Sequence, residues 1–277
     1  MALSDPSAAP EPPRDAPPLD LPPFDFGGVL SQTFSVFWRG FPTFFLLGLL
    51  AAVAGLAGQA ALLGPGVLLA PEDPDWLLRT LEQPGGWALF VISSAVLPVL
   101  AFSVATAMIV QAAYDVKLER PLRASAYVAP ALTRLPWVVL ISLIVTIAAA
   151  LGMLALIVPG LYVYALFSVS VPAIMIERRG FDALARSARL TKGYRWPVLG
   201  LLVVILVIAS AAGALAGLAA APAVLVGGAP AWVLTAANAL MSGLTTGLFG
   251  VAVAIVYARL RELKEGLIVG DMANVFS

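Results

Sequence analysis

Apolar residues in this chain gather into long blocks divided by short polar stretches. The longest block runs from Pro136 to Ile176, 41 residues without Asp, Glu, Lys or Arg. A helix needs about 20 apolar residues to cross the ~30 Å hydrocarbon layer, so this block holds two crossings, and the Pro159-Gly160 pair predicts the turn between them. The same reading gives six transmembrane helices at about 41–63, 87–113, 136–157, 161–176, 196–218 and 231–257. The expected fold is therefore all-α: a polytopic integral membrane protein with interfacial amphipathic helices before the odd-numbered spans. The first of these helices lies within Phe24 to Arg39, where Leu30, Phe34 and Phe37 recur at helical spacing.

The flanks read differently. Residues 1–23 hold eight prolines and almost no bulky apolar side chains, too little to offset the entropy of ordering, so a disordered Pro-rich cytoplasmic tail is expected rather than a polyproline docking site. The segment lacks the basic start and apolar core of a signal peptide. Residues 24–266 form the six-span membrane domain, and 267–277 a short cytoplasmic tail.

Composition agrees with the pattern. Of 277 residues 61% are hydrophobic and 12% charged, against about 25% charged in soluble proteins, and the mean hydropathy is +0.96. Sixteen basic residues balance sixteen acidic ones, so net charge argues for no nucleic-acid partner. The absence of Cys and His removes disulfides, thiolate and imidazole metal sites, and Cys or His nucleophiles. No cofactor is expected.

How the charges are distributed sets an orientation. Fifteen of the sixteen Lys and Arg fall on one side of the six spans and Arg79 alone on the other, a positive-inside signal that predicts cytoplasmic termini. Basic residues followed by Pro or Trp recur before each odd span: Arg39 with Pro42, Arg134 with Pro136-Trp137, and Lys192 with Trp196-Pro197. Three tandem units, each a surface helix and a transmembrane hairpin, would explain this. Pro and Trp at helix starts and membrane interfaces would explain it equally.

Residues that could carry chemistry are sparse. None of the six spans contains a charge, the usual mark of an intramembrane site. Gln59, Gln111 and a set comprising Asn238, Ser242, Thr245 and Thr246 remain, and such groups more often bond backbone or a neighbouring helix than a substrate. Pro98 and Pro172 predict kinks. Gly213 with Gly217, and Gly243 with Gly247, have the spacing that lets helix backbones meet, inside the bundle or in a homo-oligomer. The sharpest candidate is the segment holding Arg178, Arg179, Arg186, Arg189, Lys192 and Arg195. As a helix from Phe181 it places Asp182, Arg186 and Arg189 on one side and Phe181, Leu184, Ala185 and Ala188 on the other, with Asp182 able to pair with Arg186. These six cations are candidate contacts for anionic lipid headgroups, or they only set topology.

The run from Leu151 to Gly200, with its PGLY, VPAIMIE, AL-RS-RLTKG and following Trp, resembles the bacterial glycerophosphoryl diester phosphodiesterase membrane-domain family and the related YciC-like inner-membrane proteins. The Phe-rich start and the YARLRELKEG end resemble it more loosely. In that family the membrane domain is sometimes fused to a soluble phosphodiesterase that carries the catalysis, so the resemblance implies a fold and a bacterial inner-membrane location, not an activity. The expectation is a non-enzymatic scaffold or lipid-interacting protein of the envelope, with membrane lipids as partners. The alternative is a transporter or permease for an uncharged or amphiphilic solute.

Overall fold

A computed structural model describes residues 23–66, 74–225, 230 and 232–266. Among the described residues 88% are helical and none is in a strand. In order, the helices are α1 (Phe26–Arg39), α2 (Phe41–Leu63), α3 (Pro74–Glu82), α4 (Gly86–Lys117), α5 (Ala124–Ala155), α6 (Ile157–Phe167), α7 (Ser170–Glu177), α8 (Asp182–Thr191), α9 (Arg195–Leu225) and α10 (Trp232–Glu265). Among the described residues six helical stretches are long and apolar enough to cross a membrane: α2, α4, α5, α6 with α7, α9 and α10. All but Pro23 of the amino-terminal tail and all of the carboxy-terminal tail, residues 1–22 and 267–277, lie outside the described residues.

The bundle is built around its last helix. In its most apolar window α10 is 72% buried, against 11% for α2 and 17% for α4. It packs against α1, α2, α4 and α9. Small residues make this possible. A Cβ on Gly48 would lie 2.2 Å from the Gly243 carbonyl oxygen, and one on Gly247 would lie 2.9 Å from the Phe44 carbonyl oxygen, so α2 and α10 cross with their backbones touching. At 34 residues α10 extends ~51 Å, well beyond the ~30 Å hydrocarbon layer, and its last turns carry Arg259, Arg261, Glu262, Lys264 and Glu265.

Several elements depart from the sequence reading. Pro159-Gly160 is not the turn between the third and fourth spans. Leu156 alone makes that turn, in an extended conformation (φ −166°, ψ 148°), and α6 begins at Ile157. Pro159 sits in the first turn of α6, where its missing N–H has no intrahelical role. Gly160 serves contact, since a Cβ on Gly152 would come within 2.8 Å of its Cα. The third span's helix starts at Ala124, twelve residues before Pro136, and runs through Pro130 and Pro136. Consequently the second of the three expected surface helices is continuous with its span, whereas α1 and α8 are separate. Gly213 and Gly217 bring no backbones together: among the described residues a Cβ on Gly213 would meet only Met241 Cβ of α10, at an ordinary 3.9 Å, and one on Gly217 would meet nothing within 4 Å.

Asp25 caps α1, its carboxylate accepting the Gly28 N–H at 3.0 Å. The helix buries Val29, Thr33, Val36 and Phe37, with Leu30 and Phe34 half-buried, and rests against α10. In α4 the turn Ile92–Val96 is π-helical, with one residue, Leu97, between it and Pro98. A proline at this point cannot donate to the preceding turn, and the wider turn takes up the mismatch. Gln59 donates to the Ser93 carbonyl at 3.3 Å, so one of the few polar groups in the spans serves the kink. Gln111 likewise bonds the Ala107 and Tyr127 carbonyls at 3.1 and 3.4 Å.

Candidate functional site at the basic end of the bundle

Long-range pairs gather the charged segments at one end. Lys117, closing α4, meets Glu262 of α10 at 2.9 Å, and Lys264 lies over the Tyr194 ring at 5.4 Å. Glu177, the last residue of α7, is the centre. Its Oε1 accepts from Arg186 Nε at 2.8 Å and Nη2 at 2.7 Å, and its Oε2 accepts from Arg179 Nε at 2.6 Å. The Tyr257 hydroxyl also donates to Glu177, and Arg186 reaches on to Glu265. Arg261 closes the ring, 3.1 Å from Glu265 and 3.9 Å from Glu177. Glu177, Arg186 and Arg261 are each only about one-tenth exposed (11%, 14% and 12%). Burial works against the Arg186 charge, but hydrogen bonds to Glu177 and Glu265 outweigh it and hold the guanidinium above its ordinary value. The network fastens α7, α8 and α10 together.

The six cations singled out in the sequence therefore divide. Arg186 is inside the network, and its partners are Glu177 and Glu265 rather than Asp182, which is exposed. Arg179 bonds Glu177, and Arg195 bonds the Tyr162 hydroxyl with its guanidinium 5.1 Å from that ring's centre. Arg178, Arg189 and Lys192 are exposed, and their side chains make no ion pair with any described residue.

The face of α8 also differs from expectation. Ala183, Ser187, Leu190 and Thr191 are buried, while Phe181 is 55% exposed against Trp137. The reason is the broken fourth span. Where α6 gives way to α7 the Leu166 carbonyl loses its helical partner and instead accepts from the Ser187 and Thr191 hydroxyls at 2.9 and 3.3 Å. Inward polarity on α8 satisfies backbone at that break. The sequence reading missed Glu177, Tyr257 and Glu265; the one available signal was a lone carboxylate between an uncharged 41-residue run and six cations.

The tryptophans mark two levels. Trp38, Trp137 and Trp196 are exposed at the basic end, and Trp87 and Trp232 are exposed at the first turns of α4 and α10, at the other end. Amphipathic indoles favour the headgroup zone, so α5 meets hydrocarbon near Trp137 although its helix starts at Ala124.

Two cavities share Pro98 and Phe102 as a wall. One, of about 430 Å³, is lined by Gln59, Thr235, Asn238, Ser242 and Thr246 among small apolar residues. Thr246, not Thr245, joins Asn238 and Ser242 there. The other, of about 360 Å³, lies between α4, α5, α10 and the α6–α7 break.

Fold and site together define a six-span helical membrane protein whose basic end is locked by buried ion pairs. No family model, curated protein or solved structure matches the chain.

Proposed function

We propose that this chain is a non-enzymatic, lipid-interacting protein or scaffold of a bacterial inner membrane, with both termini cytoplasmic and its basic end against anionic headgroups. One observation carries the reading: the carboxylates Glu177, Glu262 and Glu265 are each committed to internal pairs, while Arg178, Arg189 and Lys192 stay exposed beside them. The surplus at the surface is positive, and a basic residue near an anionic bilayer is worth ~1 kcal/mol. The motif resemblance over residues 151–200 supports the same location. Trp38, Trp137 and Trp196, exposed at the same end, fit the headgroup level.

The triple variant Arg178→Glu, Arg189→Glu and Lys192→Glu is expected to lose co-purified phosphatidylglycerol and cardiolipin in native mass spectrometry, with thermal stability near wild type. Retention equal to wild type would reduce these cations to orientation markers. Orientation has its own check. Reporter fusions after Glu82 should read periplasmic, and fusions after Arg123, Lys192 and Ser277 cytoplasmic; a cytoplasmic Glu82 fusion would remove the positive-inside argument.

The second reading, a permease for an uncharged or amphiphilic solute, is favoured by the paired cavities at the Pro98 kink. Solute flux in proteoliposomes separates it from the first.

A further inference from the structure

The 360 Å³ cavity is uncharged throughout, with a hydrophobic body made by Val99, Ile141, Val145, Phe167, Phe249 and Val253. Its polarity comes only from hydroxyls. Ser103, Ser168 and Ser170 donate to the carbonyls of Val99, Ala165 and Phe167 at 2.6, 2.9 and 2.8 Å, so their protons are spent locally and their lone pairs remain. Thr106 differs. It is 4% exposed, lines the cavity, and its hydroxyl has no hydrogen-bond partner among the described residues. A buried hydroxyl without a partner is unfavourable and is retained where something completes it. The cavity also lies at the break between α6 and α7, the kind of interrupted span at which membrane proteins place ligands. Thr146 on its lining is exposed, which gives lateral access from the bilayer.

We infer that this cavity is a binding site for a neutral single-chain amphiphile with a hydroxyl headgroup, its oxygen meeting Thr106 and its proton going to a serine oxygen. Three features select that class. With no Lys or Arg in the lining, a carboxylate or phosphate head would be buried unpaired. A pure hydrocarbon would leave Thr106 unpaired. Scaled from the ~150 Å³ cavity that holds one benzene, the volume seats a chain of about a dozen carbons. None of Arg178, Arg189 or Lys192 lines the site, and its selection of ligand does not depend on them.

The test uses the full chain in nanodiscs, a diazirine-bearing dodecanol as photolabel, and mass-spectrometric mapping. Labelling should concentrate on peptides containing Thr106, Val145 or Val253. Dodecanol should compete, and laurate at pH 8 and dodecane should compete at least tenfold less well. Thr106→Val keeps the shape and removes the hydroxyl. It should weaken dodecanol competition roughly fivefold, the worth of one neutral hydrogen bond, while leaving the unliganded protein as stable as wild type or slightly more so. A purely structural Thr106 would instead lower stability and spare binding. Ser142→Phe should fill the cavity and abolish the label. Labelling spread evenly over lipid-facing helices, equal competition by dodecane, or unchanged affinity in Thr106→Val would each overturn the assignment.

Discussion

Gly48→Leu is expected to disrupt the bundle, lowering stability by about 3 kcal/mol or more, the upper range for forced overpacking. The Cβ alone would stand 2.2 Å from the Gly243 carbonyl oxygen and 3.2 Å from its Cα. Those atoms are backbone and cannot rotate aside. Relief would need α2 and α10 to separate, and α10 is the helix that α1, α4 and α9 also contact. Gly243→Leu should act alike, with its Cβ 2.9 Å from the backbone nitrogen and Cα of Leu49. Gly217→Leu is the matched control, since its Cβ would meet nothing within 4 Å. Unfolding in mixed detergent micelles should give a steep loss for the first two and near wild-type behaviour for the third. Equal stability of all three variants would mean that α2 and α10 do not cross at these glycines.

Glu177→Ala is expected to cost about 3 kcal/mol, because removing one partner of a buried ion pair leaves the other charges uncompensated. Arg186 would keep Glu265 alone, Arg179 would lose its carboxylate, and the Tyr257 hydroxyl would lose its acceptor. Glu177→Gln should cost less, since the amide oxygen still accepts a hydrogen bond while the negative charge is gone. If the pair acts as a unit, the double variant Glu177→Ala, Arg186→Ala should be less destabilised than the sum of the single ones. Strict additivity would show that Glu177 and Arg186 do not interact in the folded protein. The same cycle has a bearing on lipid contact. Arg186, the residue at the middle of the basic segment, is engaged internally, so its replacement should change stability first, whereas Arg189 should affect lipid retention with little effect on stability.

The permease reading and the hydroxyl-amphiphile site draw on the same irregularities. Pro98 widens α4 through a π-helical turn, and Ser168 and Val169 interrupt the fourth span. Both defects border the 360 Å³ cavity. Irregular backbone is tolerated at membrane depth where it is packed by protein or faces a cavity.

What the sequence determined by itself was the class and the count. Uncharged blocks long enough to cross hydrocarbon settle there as helices, which bond most of their backbone internally, so six spans followed from hydropathy once the 41-residue block was counted as two. Tertiary structure decided the rest, for reasons that a one-dimensional pattern does not contain. Gly213-xxx-Gly217 and Gly243-xxx-Gly247 are identical as spacing, yet among the described residues only the second meets another backbone, because α2 crosses α10 there and no described residue comes within 4 Å of a Cβ at Gly217. Pro159-Gly160 looks like a turn, but proline is also acceptable in a helix's first turn, and the one-residue turn at Leu156 leaves it there. Arg186 and Arg189 look equivalent three residues apart. One faces Glu177 and Glu265 and the other faces outward, a difference fixed by where the ends of α7 and α10 arrive beside α8.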